Sequence, residues 1–190
     1  MADLALAAEL GEHSKLVGGG NLWIDAVELI QIDPLDAEIV ATGARGARTI
    51  PAGQFFVEML TTALKPNEIV TEVRVPVLAR GTGAAYVKHP HPASGYAVVG
   101  VAAVVAVSGG KCQRAAIGIT GVAGKAYRAT AVEQALVGKP LDEASVANAA
   151  AHAADGADPQ GDLYASGQFR AHLATVYTKR AVLQAASRAK

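Results

Sequence analysis

The feature that most limits the fold lies in the second half of the chain, where three strand-like segments precede three helix-like ones without interleaving. Ala84 to Lys88, Tyr96 to Ser108 and Gln113 to Gly121 read as strands, and Gly109-Gly110 between the last two is a hairpin signal. Tyr127 to Val137, Leu141 to Ala153 and Gln168 to Lys190 then read as helices. The longest carries Phe169, Leu173, Val176, Arg180 and Leu183 at helical spacing. With no helix between consecutive strands, a right-handed parallel βαβ sheet is excluded. The order predicts an α+β domain, a three-stranded antiparallel sheet followed by three helices layered on one face.

The first half is more broken. Ala2 to Leu10 reads as a short helix stopped by Gly11, Lys15-Leu16-Val17 as a strand stub, and Gly18-Gly19-Gly20-Asn21 as a turn. Trp23 to Leu35 has no clear period. Ala37 to Thr42 and Arg48 to Ile50, joined through Gly43 and Gly46, predict a hairpin. After Pro51, Gly53 to Thr61 reads as a helix burying Phe55, Phe56, Met59 and Leu60. Glu68 to Val75 alternates Ile69, Thr71, Val73 and Val75, which predicts a strand with those residues on one face. The break at Leu78 to Gly83 divides the chain into domains of 1–78 and 79–190.

Charge and cysteine usage narrow the function. Seventeen basic residues balance seventeen acidic ones, so the general attraction to nucleic acid that a basic face supplies is not expected. The single cysteine, Cys112, excludes an internal disulfide and a cysteine metal cluster, and suits a reducing compartment. Asp3 and Glu9 stand where a signal peptide would be basic, and the apolar run Tyr96 to Val107 is too short to cross a membrane. A cytoplasmic protein without a membrane span is expected. Only 5% of residues are aromatic, so close packing of Ala and Val must build the core.

Few residues suggest chemistry. The glycines of Gly18-Gly19-Gly20-Asn21 let backbone N–H groups converge on a phosphate, although the same residues also serve as a plain turn. His89 and His91, two apart on extended chain, point the same way but have no third ligand nearby, so no metal site is assigned. Ser94 lacks a nucleophile elbow and no catalytic residue is assigned. Tyr86, Lys88 and Tyr96 lie near the ends of adjacent strands, where they suit either a cleft edge for a flat ligand or a core with wet phenol tips.

Several stretches in order resemble one family. They are Arg48-Thr-Ile-Pro-Ala-Gly-Gln-Phe-Phe56, Thr61-Thr-Ala-Leu-Lys-Pro-Asn-Glu-Ile69, Glu72-Val-Arg-Val-Pro76 and Ala85-Tyr-Val-Lys88. His91-Pro-Ala-Ser-Gly-Tyr-Ala-Val-Val-Gly-Val-Ala-Ala103, Glu133-Gln-Ala-Leu-Val-Gly138, Tyr164-Ala-Ser166 and Phe169-Arg170 continue the series. Together they resemble the FAD-binding medium subunit of carbon monoxide dehydrogenase and xanthine dehydrogenase-type molybdenum hydroxylases. The resemblance implies an FAD domain followed by a β3-α3 C-terminal domain. It also implies partners: a large molybdenum-binding subunit and a small iron–sulfur subunit, which alone hold the molybdenum cofactor and the clusters. FAD would pass electrons from the clusters to an external acceptor. Glu9-Leu-Gly-Glu-His-Ser-Lys-Leu-Val-Gly-Gly-Gly-Asn21 resembles the family's first FAD loop, so Gly18, Gly19, Gly20 and Asn21 are matched to the pyrophosphate. Lys88 and Tyr96 are matched to the neighbourhood of the flavin ring. Between Asn21 and Asp36 the family's second glycine loop and Ala-Asp-Pro segment are absent, so the FAD domain is expected to be internally shortened. Two expectations follow: an FAD-bearing electron-transfer subunit, or a non-catalytic docking and assembly module that has lost FAD.

Overall fold

The computed structural model describes residues 13–15, 37–58, 60–76 and 78–189. The expected helix at Ala2 to Leu10, the glycine turn at Gly18 to Asn21 and the segment Trp23 to Leu35 lie outside the described residues. A first antiparallel sheet is built from β1 (His13–Lys15), β2 (Glu38–Gly43), β3 (Gly46–Pro51) and β6 (Glu68–Pro76), in the order β1-β6-β2-β3. Ala37, Ile39, Ala41, Ile50, Ala52 and Phe55 form its small core, with Phe56, Ala63, Leu64 and Val70 packed against them.

The expected helix from Gly53 to Thr61 is replaced by a single turn, α1 (Ala52–Phe55), followed by the hairpin strands β4 (Phe56–Glu58) and β5 (Thr61–Thr62). β-branched Val57, Thr61 and Thr62 favour extended backbone. Leu60, at φ 56°, reverses the chain between the strands. On β6 the predicted face also changes. The pairing of β6 with β2 shifts between Val40 and Ala41, so Val73 is buried while Ile69 is 68% exposed. A bulge of this kind moves the alternation to the other face partway along a strand.

The second sheet has four strands, which corrects the expected three. Its order is β10-β9-β8-β7, from β7 (Thr82–Pro90), β8 (Ala97–Ser108), β9 (Lys111–Thr120) and β10 (Tyr127–Arg128), all antiparallel. The extra strand occupies the start of the segment read as the first helix. Tyr127 pairs with Ile119 and Arg128 with Gly118. Where this two-residue strand ends, the Ala129 N–H donates to Ile117 O at 2.9 Å and the Glu133 carboxylate accepts from the Ile117 N–H at 2.8 Å. Glu133 thus completes the sheet edge, and Arg128 grips the same carboxylate at 2.6 Å.

The helix count is corrected as well. The described residues hold four helices, with α1 ahead of this sheet and α2 (Thr130–Leu136), α3 (Glu143–Ala150) and α4 (Gly167–Arg188) after it. Asp142 caps α3 by accepting from the Ser145 N–H, and Ser166 caps α4 by accepting from the Phe169 N–H. The 22-residue α4 lies on β7 and β8, α2 packs on β9, and α3 packs on both other helices. Leu173, Ala174, Ala181, Val182 and Ala185 of α4 meet Val99, Val101, Ala103 and Val105 of β8 in one core. The eight residues Val98 to Val105 are all buried, as suits a central strand covered on both faces. Among the described residues, no helix is long and apolar enough to cross a membrane.

Candidate functional site

Pleating divides the side chains of β7 between two faces. His89 turns to the helical face, with ring centroids 6.2 Å from Phe169 and 6.0 Å from Tyr177 of α4. Tyr86 and Lys88 occupy the opposite face, since residues two apart share a side. There Lys88 stands opposite Gly100 and Tyr86 opposite Ala102. The Tyr86 ring leans across Gly100: a Cβ at that glycine would come 2.5 Å from the phenol oxygen and 3.1 Å from a Thr120 methyl carbon. This face therefore offers a flat aromatic surface with an exposed ammonium beside it.

Tyr96 does not join that surface through the strand register. It precedes β8, four residues from Gly100, an offset of roughly 13 Å along a strand. It is 66% exposed at the end of a tight loop. The loop is closed by the His91 N–H donating to Tyr96 O at 2.7 Å and the Gly95 N–H donating to His91 O at 2.8 Å. Ser94 serves this turn, its hydroxyl accepting from the Tyr96 N–H at 3.3 Å. Gly18, Gly19, Gly20 and Asn21 lie outside the described residues. Of the predicted set, the structure describes Lys88 and Tyr96, at the same end of the second sheet but on different elements.

The two histidines part company. His91 packs against Tyr164 with centroids 4.3 Å apart and ring planes tilted by 54°, while His89 faces α4. No group of three His, Cys, Asp or Glu side chains with metal-binding proximity occurs among the described residues. Cys112 is buried, its thiol held up by desolvation, and donates to Arg114 O at 3.3 Å. Such a thiol is a poor nucleophile. Burial likewise pushes the Tyr127 phenol up to about 12, and it donates to Ala153 O at 2.9 Å.

The strongest polar centre escaped the sequence reading. Arg170, with its side chain 11% exposed, donates from Nη1 to Val98 O at 2.6 Å and to Gly121 O at 2.7 Å. Its Nη2 donates to Asp162 Oδ2 at 2.5 Å. Asp162 in turn accepts through Oδ1 from the N–H groups of Tyr164 and Ala165 at 2.9 and 2.8 Å. Those N–H bonds, led by Ala165, hold its carboxyl below the usual range, with Arg170 adding to the effect. The hub ties the ends of β8 and β9 to the loop before α4. The available signal was an arginine four residues before Ala174 on the helix's buried stripe.

Comparison with known proteins places these elements. The family described as CO dehydrogenase flavoprotein C-terminal domain matches residues 84–185, and the FAD binding domain in molybdopterin dehydrogenase matches residues 30–78. The carbon monoxide dehydrogenase medium chain of Afipia carboxidovorans is 36% identical over 156 residues, covering 82% of this chain and 54% of that one. The 6-hydroxypseudooxynicotine dehydrogenase complex subunit alpha of Paenarthrobacter nicotinovorans is 32% identical over 177 residues, covering 92% of this chain and 60% of that one. The solved structure of reconstituted CO dehydrogenase from Oligotropha carboxidovorans superposes with a TM-score of 0.78 at 35% identity, over 84% of this chain and 56% of that one. The chain thus spans little more than half the length of these relatives. Matched on both sides of residues 79–83 and across most of its length, the chain belongs to the family of flavoprotein medium subunits of carbon monoxide dehydrogenase and xanthine dehydrogenase-type enzymes.

Proposed function

We propose that the chain serves as the flavin-carrying medium subunit of a molybdenum hydroxylase, with residues 1–78 as a shortened FAD-binding domain and 79–190 as the C-terminal domain. The match of both family segments in the family's order carries this reading. FAD, when bound, would supply two-electron and one-electron redox chemistry between iron–sulfur clusters and an external acceptor. The described residues fit one side of such a group. Tyr86 over Gly100 makes a flat wall, Lys88 beside it offers a cation, and Tyr96 stands exposed at the same end of the sheet. Gly18, Gly19, Gly20 and Asn21 are the proposed pyrophosphate loop. The substrate-selecting molybdenum site and the clusters would reside on a large and a small partner chain, in the cytoplasm.

The absence of the family's second glycine loop and Ala-Asp-Pro segment between Asn21 and Asp36 supports a second reading, a docking and assembly module without FAD. An absorption spectrum of the purified protein separates the two. Flavin bands that survive incubation with FAD and desalting support the first. A flat spectrum after the same treatment rejects it and leaves the module.

A further inference from the structure

Tyr96 is 66% exposed, so packing against other side chains fixes little of its position. The backbone on either side of it must do so. On the C-terminal side β8 carries a bulge: Ala97 pairs with Pro90 and Val99 with His89, which leaves Val98 without a counterpart on β7. Such a bulge re-aims neighbouring side chains and takes its own backbone groups out of the ladder. Arg170 takes up the freed carbonyl, donating from Nη1 to Val98 O at 2.6 Å, and the same nitrogen donates to Gly121 O at 2.7 Å. The two carbonyl segments lie in contact, since a Cβ on Gly121, at φ 80°, would come 2.3 Å from Val98 O.

On the N-terminal side, the loop from His91 to Tyr96 is closed by the His91 N–H on Tyr96 O and the Gly95 N–H on His91 O. Its outer support is the Tyr164 ring, whose centroid lies 4.3 Å from that of His91. Tyr164 is held in turn by Asp162, which accepts from the Tyr164 N–H through Oδ1 and from Arg170 Nη2 through Oδ2. One guanidinium thus reaches both sides of Tyr96, through Val98 after it and through Asp162, Tyr164 and His91 before it. A rigid planar fork of donors suits that span, whereas a single ammonium on a flexible stem does not.

We propose that Arg170 is a positioning residue for the proposed flavin site: it sets where the Tyr96 ring stands by clamping the bulge at Val98 and the loop behind His91, without itself touching the cofactor. The inference rests on the medium-subunit reading, in which Tyr96 meets the flavin ring. Holding an exposed ring in its binding position before the ligand arrives lowers the ordering cost of binding. A residue that acts this way contributes to FAD affinity only while Tyr96 is present to be placed.

The test titrates FAD into the full chain and into its Arg170→Met, Tyr96→Ala and double variants. Asp162→Asn, alone and with Tyr96→Ala, is the milder cut and replaces Arg170→Met if that variant does not fold. Hydrogen exchange of the His91 and Gly95 amides is followed in the same proteins without FAD. The proposal expects the clamp variant to exchange both amides faster and to raise the Kd for FAD about fivefold or more, but to raise it no further once Tyr96 is replaced. Losses that add in the double variant give Arg170 a general structural role and overturn the proposal. Unchanged exchange or an unchanged Kd in the clamp variant overturns it too, and in all these cases a wild type that binds FAD leaves the medium-subunit reading standing. A wild type that takes up no FAD fails that reading itself, and the proposal falls with it.

Discussion

The Tyr86 phenol lies where a side chain on Gly100 would have to be: a Cβ there would sit 2.5 Å from the Tyr86 hydroxyl oxygen. The glycine is needed for this close approach across the β7–β8 pair, and the ring covers backbone that would otherwise lack side-chain packing. Gly100→Ala forces the ring aside and should destabilise the domain by about 1–3 kcal/mol. Tyr86→Ala in the same chain removes the clash, so the double variant should lose less than the two single losses added together. Chemical denaturation of all four proteins measures that coupling. Additive losses would mean the ring does not rest on the glycine.

The first sheet carries its own pH dependence. Arg48 donates from Nε and Nη2 to the two Glu68 oxygens at 2.9 and 2.8 Å, and the Lys65 N–H donates to Oε2 at 2.8 Å. The Arg48 hydrogen bond first, then the Lys65 N–H, lowers the Glu68 carboxyl from 4.5 to about 2. Because the folded value is the depressed one, its stabilisation is complete above 4.5 and is lost as pH falls through about 2. Melting temperatures of wild type and Glu68→Gln should therefore differ most near neutral pH and converge toward pH 2. A gap that stays constant would remove Glu68 from the acid response.

Thr178 sits fully buried on α4 with its hydroxyl unpartnered. Most helix threonines return a hydrogen bond to the carbonyl one turn back, and an orphaned buried hydroxyl carries a desolvation cost. Thr178→Val keeps the shape and removes the hydroxyl, so it should raise stability by about 1 kcal/mol. Thermal unfolding of the variant checks the sign. A lower melting point would mean that the hydroxyl finds a partner in solution.

Legibility of the fold tracked how local the deciding forces are. The apolar run of β8 and the turn at Gly109-Gly110, with φ values of 58° and 72°, are set by nearby residues and were readable. So was the long helix α4, although its cap at Ser166 stands two residues before the expected start. The strand Tyr127–Arg128 was not readable, because two residues show no alternation and their pairing depends on the free edge of β9. The helix expected from Gly53 to Thr61 failed similarly, since its apolar spacing fits one helical face while its β-branched residues fit a hairpin. At the candidate site, Lys88 and Tyr96 were legible as residue types near strand ends. Their separation depends on register, which no short stretch encodes. Arg170 was legible only as part of the Phe169-Arg170 stretch of the resemblance, because its carbonyl partners lie 72 and 49 residues away and no local pattern encodes them.

Those partners give Arg170 the largest expected single effect. Its Nη1 serves Val98 O and Gly121 O together, and its Nη2 serves Asp162. Arg170→Met keeps the aliphatic stem but leaves two carbonyls and a carboxylate without their donor. The Asp162 side chain is 55% exposed and water can take over its charge, so the cost comes from the two carbonyls left without a donor, about 1–3 kcal/mol each, and the variant should melt well below wild type. Asp162→Asn is the milder cut. It retains an acceptor for the Tyr164 and Ala165 N–H groups but no longer neutralises the guanidinium. Hydrogen exchange of the Tyr164 and Ala165 amides distinguishes the two roles. They should exchange faster in Arg170→Met even under conditions where the rest of α4 stays protected, because the loop loses its tether to the sheet. Unchanged exchange at those amides would show that the loop holds its shape through Asp162 alone.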